Sequence, residues 1–213
     1  MRILFFDTET NGLPKNMYAA ADDLANWPRV LQIAWELWDL PPTLKMTQLT
    51  DACFLVKPEE SLEWDKDSEK IHGITKERAL AEGMPGPLVF GQFRAVLEQA
   101  HIVVAHNLGF DKPVVIAECI RNTKGTLFWD KLEYCTCMSN IELCKLPVSN
   151  PKSGGSKYKR PRLGELFKFL YGREPNVALH NAAADTEILR QCFQGLLARR
   201  LVPLEEWQER LRV

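Results

Sequence analysis

The chain has 213 residues, of which 46% are hydrophobic and 26% charged, with 27 Lys and Arg against 28 Asp and Glu. Its apolar fraction is too high, and its net charge of −1 too low, for a disordered chain. It also lacks the positive excess of a nucleic-acid-coating protein.

Residues 3–6 are a short apolar run that reaches Asp7 at once. It reads as a central strand buried on both faces, over 2–6. The run is too short for a signal-peptide core, and no segment approaches the roughly 18 apolar residues of a membrane span. A cytoplasmic protein without a membrane partner is expected. Residues 11–29, with Asn11-Gly12, Pro14 and Pro28, read as a loop. Residues 30–39 alternate as a second strand, and Pro41-Pro42 forces a turn. A third strand is expected over 48–56. Three strands joined by short turns argue for an antiparallel meander.

The texture then changes. Residues 59–70 are dense in charge, and 75–83 and 87–100 have helical spacing. Ile102 to Ala105 is a second fully apolar strand. A helix over 109–121 follows, with Asn107 as its expected N-cap. A strand or short helix is expected within 126–138, and a loop over 147–161. Helices are expected at 162–171, 182–199 and 203–211. Without an internal repeat or linker, this order indicates one mixed α/β domain over 1–213.

Six cysteines show no disulfide framework, which suits a reducing compartment. Cys135, Cys137 and Cys144 lack zinc-knuckle spacing, so buried thiols are the better reading. Charge is uneven along the chain. Residues 145–162 hold Lys145, Lys152, Lys157, Lys159, Arg160 and Arg162 and no acid, leaving 21 cations against 28 acids elsewhere. A mobile basic loop is expected here, with Lys157, Lys159 and Arg160 guiding a phosphate backbone.

Asp7-Thr8-Glu9 closes the first strand. Alternation puts Asp7 and Glu9 on one face, at the sheet edge where α/β folds place their sites. Two adjacent carboxylates repel, and hard divalent cations are the natural compensation. Asp111 follows the second apolar strand. With Asn107 as the cap, Asp111 has no capping role and can reach the same mouth. His180 and Asp185 cannot share a face of one continuous helix. The spacing works if His180 precedes the helix and Asp185 lies in its first turns.

Together, Phe6 to Leu13, Ala105-His106-Asn107-Leu108-Gly109-Phe110-Asp111 and His180-x₄-Asp185 resemble the three motifs of the DEDDh 3′→5′ exonucleases. These are relatives of the polymerase III proofreading (epsilon) subunit. Ile71-His72-Gly73-Ile74-Thr75 is similar to a segment such proteins carry between the first two motifs. Asn181 stands where the Tyr subclass would need Tyr, and Thr186 where a small apolar residue is more usual.

The resemblance implies a ribonuclease H-like α/β fold. Its mixed five-stranded sheet, an antiparallel meander plus parallel strands, would be flanked by helices. It also implies that Asp7, Glu9, Asp111 and Asp185 hold two divalent ions, Mg²⁺ or Mn²⁺, with Asp7 bridging both. Glu9 and Asp185 would favour the ion that activates water, and Asp111 the other. His180 would be the general base, with His106 the poorer candidate. Leu13 would wedge against the terminal base, backbone near Thr10 and Gly12 would approach the terminal sugar, and Asn107 would help shape the cleft. His72, His101 and Phe110 are expected to be structural, and Trp35 and Trp38 to be core. The implied reaction releases nucleoside 5′-monophosphates from 3′ ends, DNA being favoured over RNA and single strands over duplex. An exoribonuclease with the same site is the alternative, and a non-catalytic binding module a weaker one. A polymerase partner or a homodimer stays open, and a free-standing enzyme is favoured.

Overall fold

A computed structural model describes residues 1–123, 125, 127–148 and 157–211. The sheet contains β1 (Arg2–Thr10), β2 (Val30–Asp39), β3 (Thr47–Leu55), β4 (Ile102–Ala105) and β5 (Leu132–Cys135), in the order β3-β2-β1-β4-β5. The meander is borne out: β2 pairs antiparallel with both β1 and β3. β4 pairs parallel with β1, and β5 parallel with β4. β1 is therefore central, as its unbroken apolar run requires.

Alternation along β1 divides the interior in two. Leu4 and Phe6 pack with Val89, Phe90 and Phe93 of α3 (Gly86–Gln99) and with Val114 and Val115 of α4 (Leu108–Asn122). Ile3 and Phe5 face the other layer, α6 (Leu163–Tyr171) and α7 (Ala182–Ala198), meeting Leu166, Phe167, Leu189 and Phe193. The Phe5 and Phe193 rings meet edge to face at 5.2 Å, a favoured aromatic geometry. Burying each such ring contributes about 1.5–3 kcal/mol. Trp207 of α8 (Leu204–Leu211) closes this second layer.

Some expectations need correction. β1 does not stop at Phe6 but continues to Thr10, because β2 offers partners as far as Gln32 and Val30. The charged stretch hides α1 (Lys66–His72), which Asp65 caps by accepting from the Asp67 and Ser68 amides and which Gly73 ends at φ 68°. The second helix of the 75–83 segment is α2 (Lys76–Glu82). In 126–138 the regular element is the short β5, and α5 (Ile141–Cys144) follows unforeseen. Much of the proposed basic loop, 149–156 with Lys152, lies outside the described residues. Its flanks meet where Pro147 bridges Tyr158.

Candidate active site

β1 delivers Asp7 and Glu9 on the face covered by α7, and α7 delivers Asp185 in its first turn. Ligand oxygens of these three acids all lie within 4.8 Å of one another. Asp185 is buried and its Oδ1 has no hydrogen-bond partner. A buried carboxylate oxygen left unpaired is costly unless something cationic meets it. Three hard oxygen donors on one point, one of them orphaned, fit a divalent cation of the Mg²⁺ or Mn²⁺ kind.

Asp111 arrives from the opposite layer. Thr8 points away from Asp7 and Glu9, toward α4, and its Oγ1 donates to Asp111 Oδ1 at 2.7 Å in a buried hydrogen bond. Asp111 is outside the three-acid group, yet its charge reaches Asp7 and Glu9. The expected cap at Asn107 is not formed by its side chain. Asn107 sits in the left-handed region at φ 79°, and its carbonyl accepts from the Phe110 amide at 2.8 Å. Asp111 is thus positioned by the Thr8 contact, and no competing side-chain cap at Asn107 is needed to explain its place.

Electrostatics follow from this crowding. Burial first, then the charges of Asp111, Asp185 and Glu9, push the Asp7 carboxyl well above its usual range. Glu9 is pushed up to about 8 by burial and by Asp185 and Asp111. Asp111 is raised to about 7, with burial outweighing the Thr8 hydrogen bond. Asp185 is also raised by burial, against the opposing His180 amide.

His180 precedes α7, as the spacing requires. Asn181 caps the helix by accepting from the Ala183 and Ala184 amides at 3.2 and 3.4 Å. The chain turns at His180 with φ 71°, and its amide donates to Asp185 Oδ2 at 3.0 Å. Gln32 of β2 was not foreseen. Its buried Oε1 accepts from the Ala182 amide at 3.0 Å and docks the helix start on the sheet. The side chain of Thr186 bonds back to the Ala182 carbonyl at 2.7 Å.

An open cleft of about 540 Å³ is lined by Asp7, His106, Arg162, Glu165, His180 and Asp185, among others. His106 shares the cleft but both ring nitrogens are occupied. Nε2 lies 2.9 Å from the Pro161 carbonyl, which only accepts, so Nε2 donates. Nδ1 then accepts from Thr136 Oγ1 at 2.9 Å. Burial lowers this imidazole to about 4, and its one lone pair, on Nδ1, is taken up by the Thr136 hydroxyl. His180, exposed at the rim, has that freedom.

Thr10, Gly12, Leu13, Asn107, Lys157, Lys159 and Arg160 are not among the residues that line that cleft. Thr10 is buried and donates to the Gly12 carbonyl at 2.7 Å. Gly12 takes φ 154°, and a Cβ there would meet Asp65 at 3.4 Å. Leu13 is 83% exposed, which core packing does not explain. Lys157 and Arg160 are exposed, whereas Lys159 is paired with Glu165. Phe110 is half-buried against the core, as expected. Trp35 is buried and Trp38 partly so, beneath the Arg190 guanidinium at 4.7 Å. The three nearby cysteines form no metal-ligating group among the described residues. A cavity of about 590 Å³ between the β2–β3 turn and α8 lies apart from these acids.

One further cluster was invisible in the sequence. Glu118 of α4, fully buried, accepts from Arg29 Nε at 2.6 Å, Arg121 Nη1 at 2.7 Å and Asn122 Nδ2 at 2.7 Å. Arg121 also donates to the Leu24 and Trp27 carbonyls. The loop bearing Leu13 is thereby anchored to the helix bearing Asp111.

A sheet ordered 3-2-1-4-5, with one antiparallel meander and helices on both faces, is the ribonuclease H-like fold. Within it, the chain is similar to E. coli exonuclease I solved with a dA16 oligonucleotide: TM-score 0.68, 19% identity, over 94% of this chain and 42% of that one. The same enzyme with a dT13 oligonucleotide matches at TM-score 0.67 and 19% identity, over 99% and 42% of the two chains. Exonuclease I from Methylocaldum szegediense matches at TM-score 0.66 and 18% identity, over 97% and 42%. The chain spans about two fifths of the length of these proteins. No protein-family model and no curated protein matches the sequence. No helix among the described residues is long and apolar enough to cross a membrane.

Proposed function

We propose that residues 1–213 act as one 3′→5′ exonuclease unit that removes nucleoside 5′-monophosphates from single-stranded DNA ends. The observation that carries this reading is the convergence of Asp7, Glu9 and Asp185 beside His180, with Asp111 held at the rear by Thr8. The solved exonuclease I complexes with dA16 and dT13 support DNA as the substrate.

Asp7, Glu9, Asp185 and Asp111 would hold Mg²⁺ or Mn²⁺. Such ions supply charge neutralisation and water activation for in-line displacement at phosphorus. His180 takes the proton of the attacking water on its exposed ring, while its own amide fixes Asp185. Leu13 offers an apolar edge to the terminal base, and Thr10 and Gly12 shape the turn beneath it. Asn107 stands in the turn between β4 and α4, ahead of Asp111, and would help shape the cleft from there. Lys157 and Arg160 approach the incoming backbone. Lys159 serves it indirectly, by holding Glu165.

The test is digestion of a 5′-labelled oligonucleotide with Mg²⁺. A ladder shortening from the 3′ end is expected, abolished by EDTA and by Asp7→Ala. Cleavage that survives both would refute the reading. RNA and duplex DNA with a mispaired 3′ end, run alongside, decide the substrate class.

A further inference from the structure

Arg162 lines the same cleft as Asp7, His180 and Asp185, and no role has been assigned to it so far. The charges around that cleft are otherwise matched. Glu165 is paired with Lys159 at 2.5 Å and Glu174 with Lys168 at 2.6 Å. Asp7 and Asp185 belong to the cation-ready group. The Arg162 guanidinium is exposed and makes no ion pair or side-chain hydrogen bond among the described residues; its charge acts at longer range on Glu165, beside the closer Lys159.

Its backbone, by contrast, is fixed. The Arg162 amide donates to Glu165 Oε2 at 2.8 Å, where it precedes α6. The adjacent Pro161 carbonyl accepts from His106 Nε2 at 2.9 Å. His106 in turn follows β4, so the ring that cannot serve as a base instead holds this corner against the sheet. The result is a planar five-donor group on a fixed backbone, lining a cleft whose acids are arranged to hold a divalent cation. Arginine in that setting matches phosphate oxygens two at a time.

Resting on the proposed exonuclease reading, we infer that Arg162 binds the non-bridging oxygens of the phosphate being cleaved and keeps hold of it as the product 5′-phosphate. Arg162 is thus a substrate-contacting residue for the terminal nucleotide, distinct from the backbone-guiding Lys157 and Arg160. Its side chain takes no part in the hydrogen bond that starts α6, so truncation leaves the helix start intact.

The experiment compares wild type, Arg162→Ala and Arg162→Lys in two assays. One is oligonucleotide cleavage; the other is direct binding of dAMP with Mn²⁺ by calorimetry. Loss of a charge-assisted contact predicts dAMP binding weakened roughly 10–100-fold in Arg162→Ala, with a similar fall in kcat/KM. Arg162→Lys should recover part of both, since it keeps the charge but not the fork. Thermal unfolding of both variants should match wild type. A wild type that cleaves DNA beside an Arg162→Ala variant with unchanged dAMP affinity would overturn the inference and leave the exonuclease reading standing. A wild type that binds dAMP through Arg162 but cleaves nothing would do the reverse. A wild type that neither binds dAMP nor cleaves overturns both.

Discussion

Replacing Asp7 by Asn removes the carboxyl that feels all three other acids, and should stabilise the metal-free protein while destroying its activity. At 4.8 Å, the outer limit within the three-acid group, two unit charges repel by about 3 kcal/mol at an effective dielectric of ~20. Proton uptake caps that cost, since an acid held above its usual range accepts a proton rather than bear the full repulsion. A net gain of about 2 kcal/mol is therefore expected for Asp7→Asn near pH 8. A domain of this size moves by about 2–4 °C per kcal/mol, so Tm in EDTA should rise by roughly 4–8 °C. The pH dependence has a definite sign. Glu9 and Asp111 titrate at about 8 and about 7 when folded, above the 4.5 and 3.8 of the free side chains. Between those values the folded chain holds more protons than the unfolded one, so wild-type stability falls as pH rises through that window. Below about pH 3 these acids are largely protonated in both states, and the advantage of Asn should vanish. With saturating Mg²⁺ or Mn²⁺ the ranking should invert, because bound cation stabilises the folded state by mass action and wild type has the fuller ligand set. The assay is differential scanning calorimetry of both proteins, in EDTA and in metal, at high and low pH. An Asp7→Asn protein no more stable than wild type in EDTA near pH 8 would refute the reasoning.

Three further outcomes are expected. His180→Ala should lower kcat by roughly 10²–10⁴-fold with little change in Tm, and single-turnover rates equal to wild type would remove His180 from the chemistry. Glu118→Ala leaves Arg29 and Arg121 without their buried partner and should cost about 3–5 kcal/mol in urea unfolding; a loss under 1 kcal/mol would show the cluster to be dispensable. Reversing Lys157 and Arg160 to Glu should raise KM and flatten its dependence on salt, and an unchanged salt slope would make them bystanders.

Much of this architecture was legible because it is written in short-range pattern. The fully apolar runs at 3–6 and 102–105 could only be buried strands, and the meander followed from Pro41-Pro42 between two alternating segments. The acids of the site were legible in two parts: strand alternation paired Asp7 with Glu9, and the resemblance of the three motifs joined Asp111 and Asp185 to them. What stayed hidden depends on contacts between distant segments. Gln32 meets Ala182, Thr8 meets Asp111 and Arg29 meets Glu118, and no local periodicity encodes such pairs. α1 was hidden for a different reason: none of its residues is buried, so it has no apolar stripe to read. Arg162 was counted with the basic segment, and only the cleft separates it from its neighbours.

The site is assembled from both ends of the chain. Asp7 belongs to the first strand and Asp185 to the next-to-last helix, and Gln32 closes the join between them. During synthesis, the first strand leaves the ribosome long before α7 exists. A nascent chain therefore carries two of the acids but has nothing to complete the group. On the exonuclease reading proposed above, nuclease chemistry would be withheld until α7 has been made and docked on the sheet. In time as well as in space, the acid group is complete only once α7 lies on the sheet.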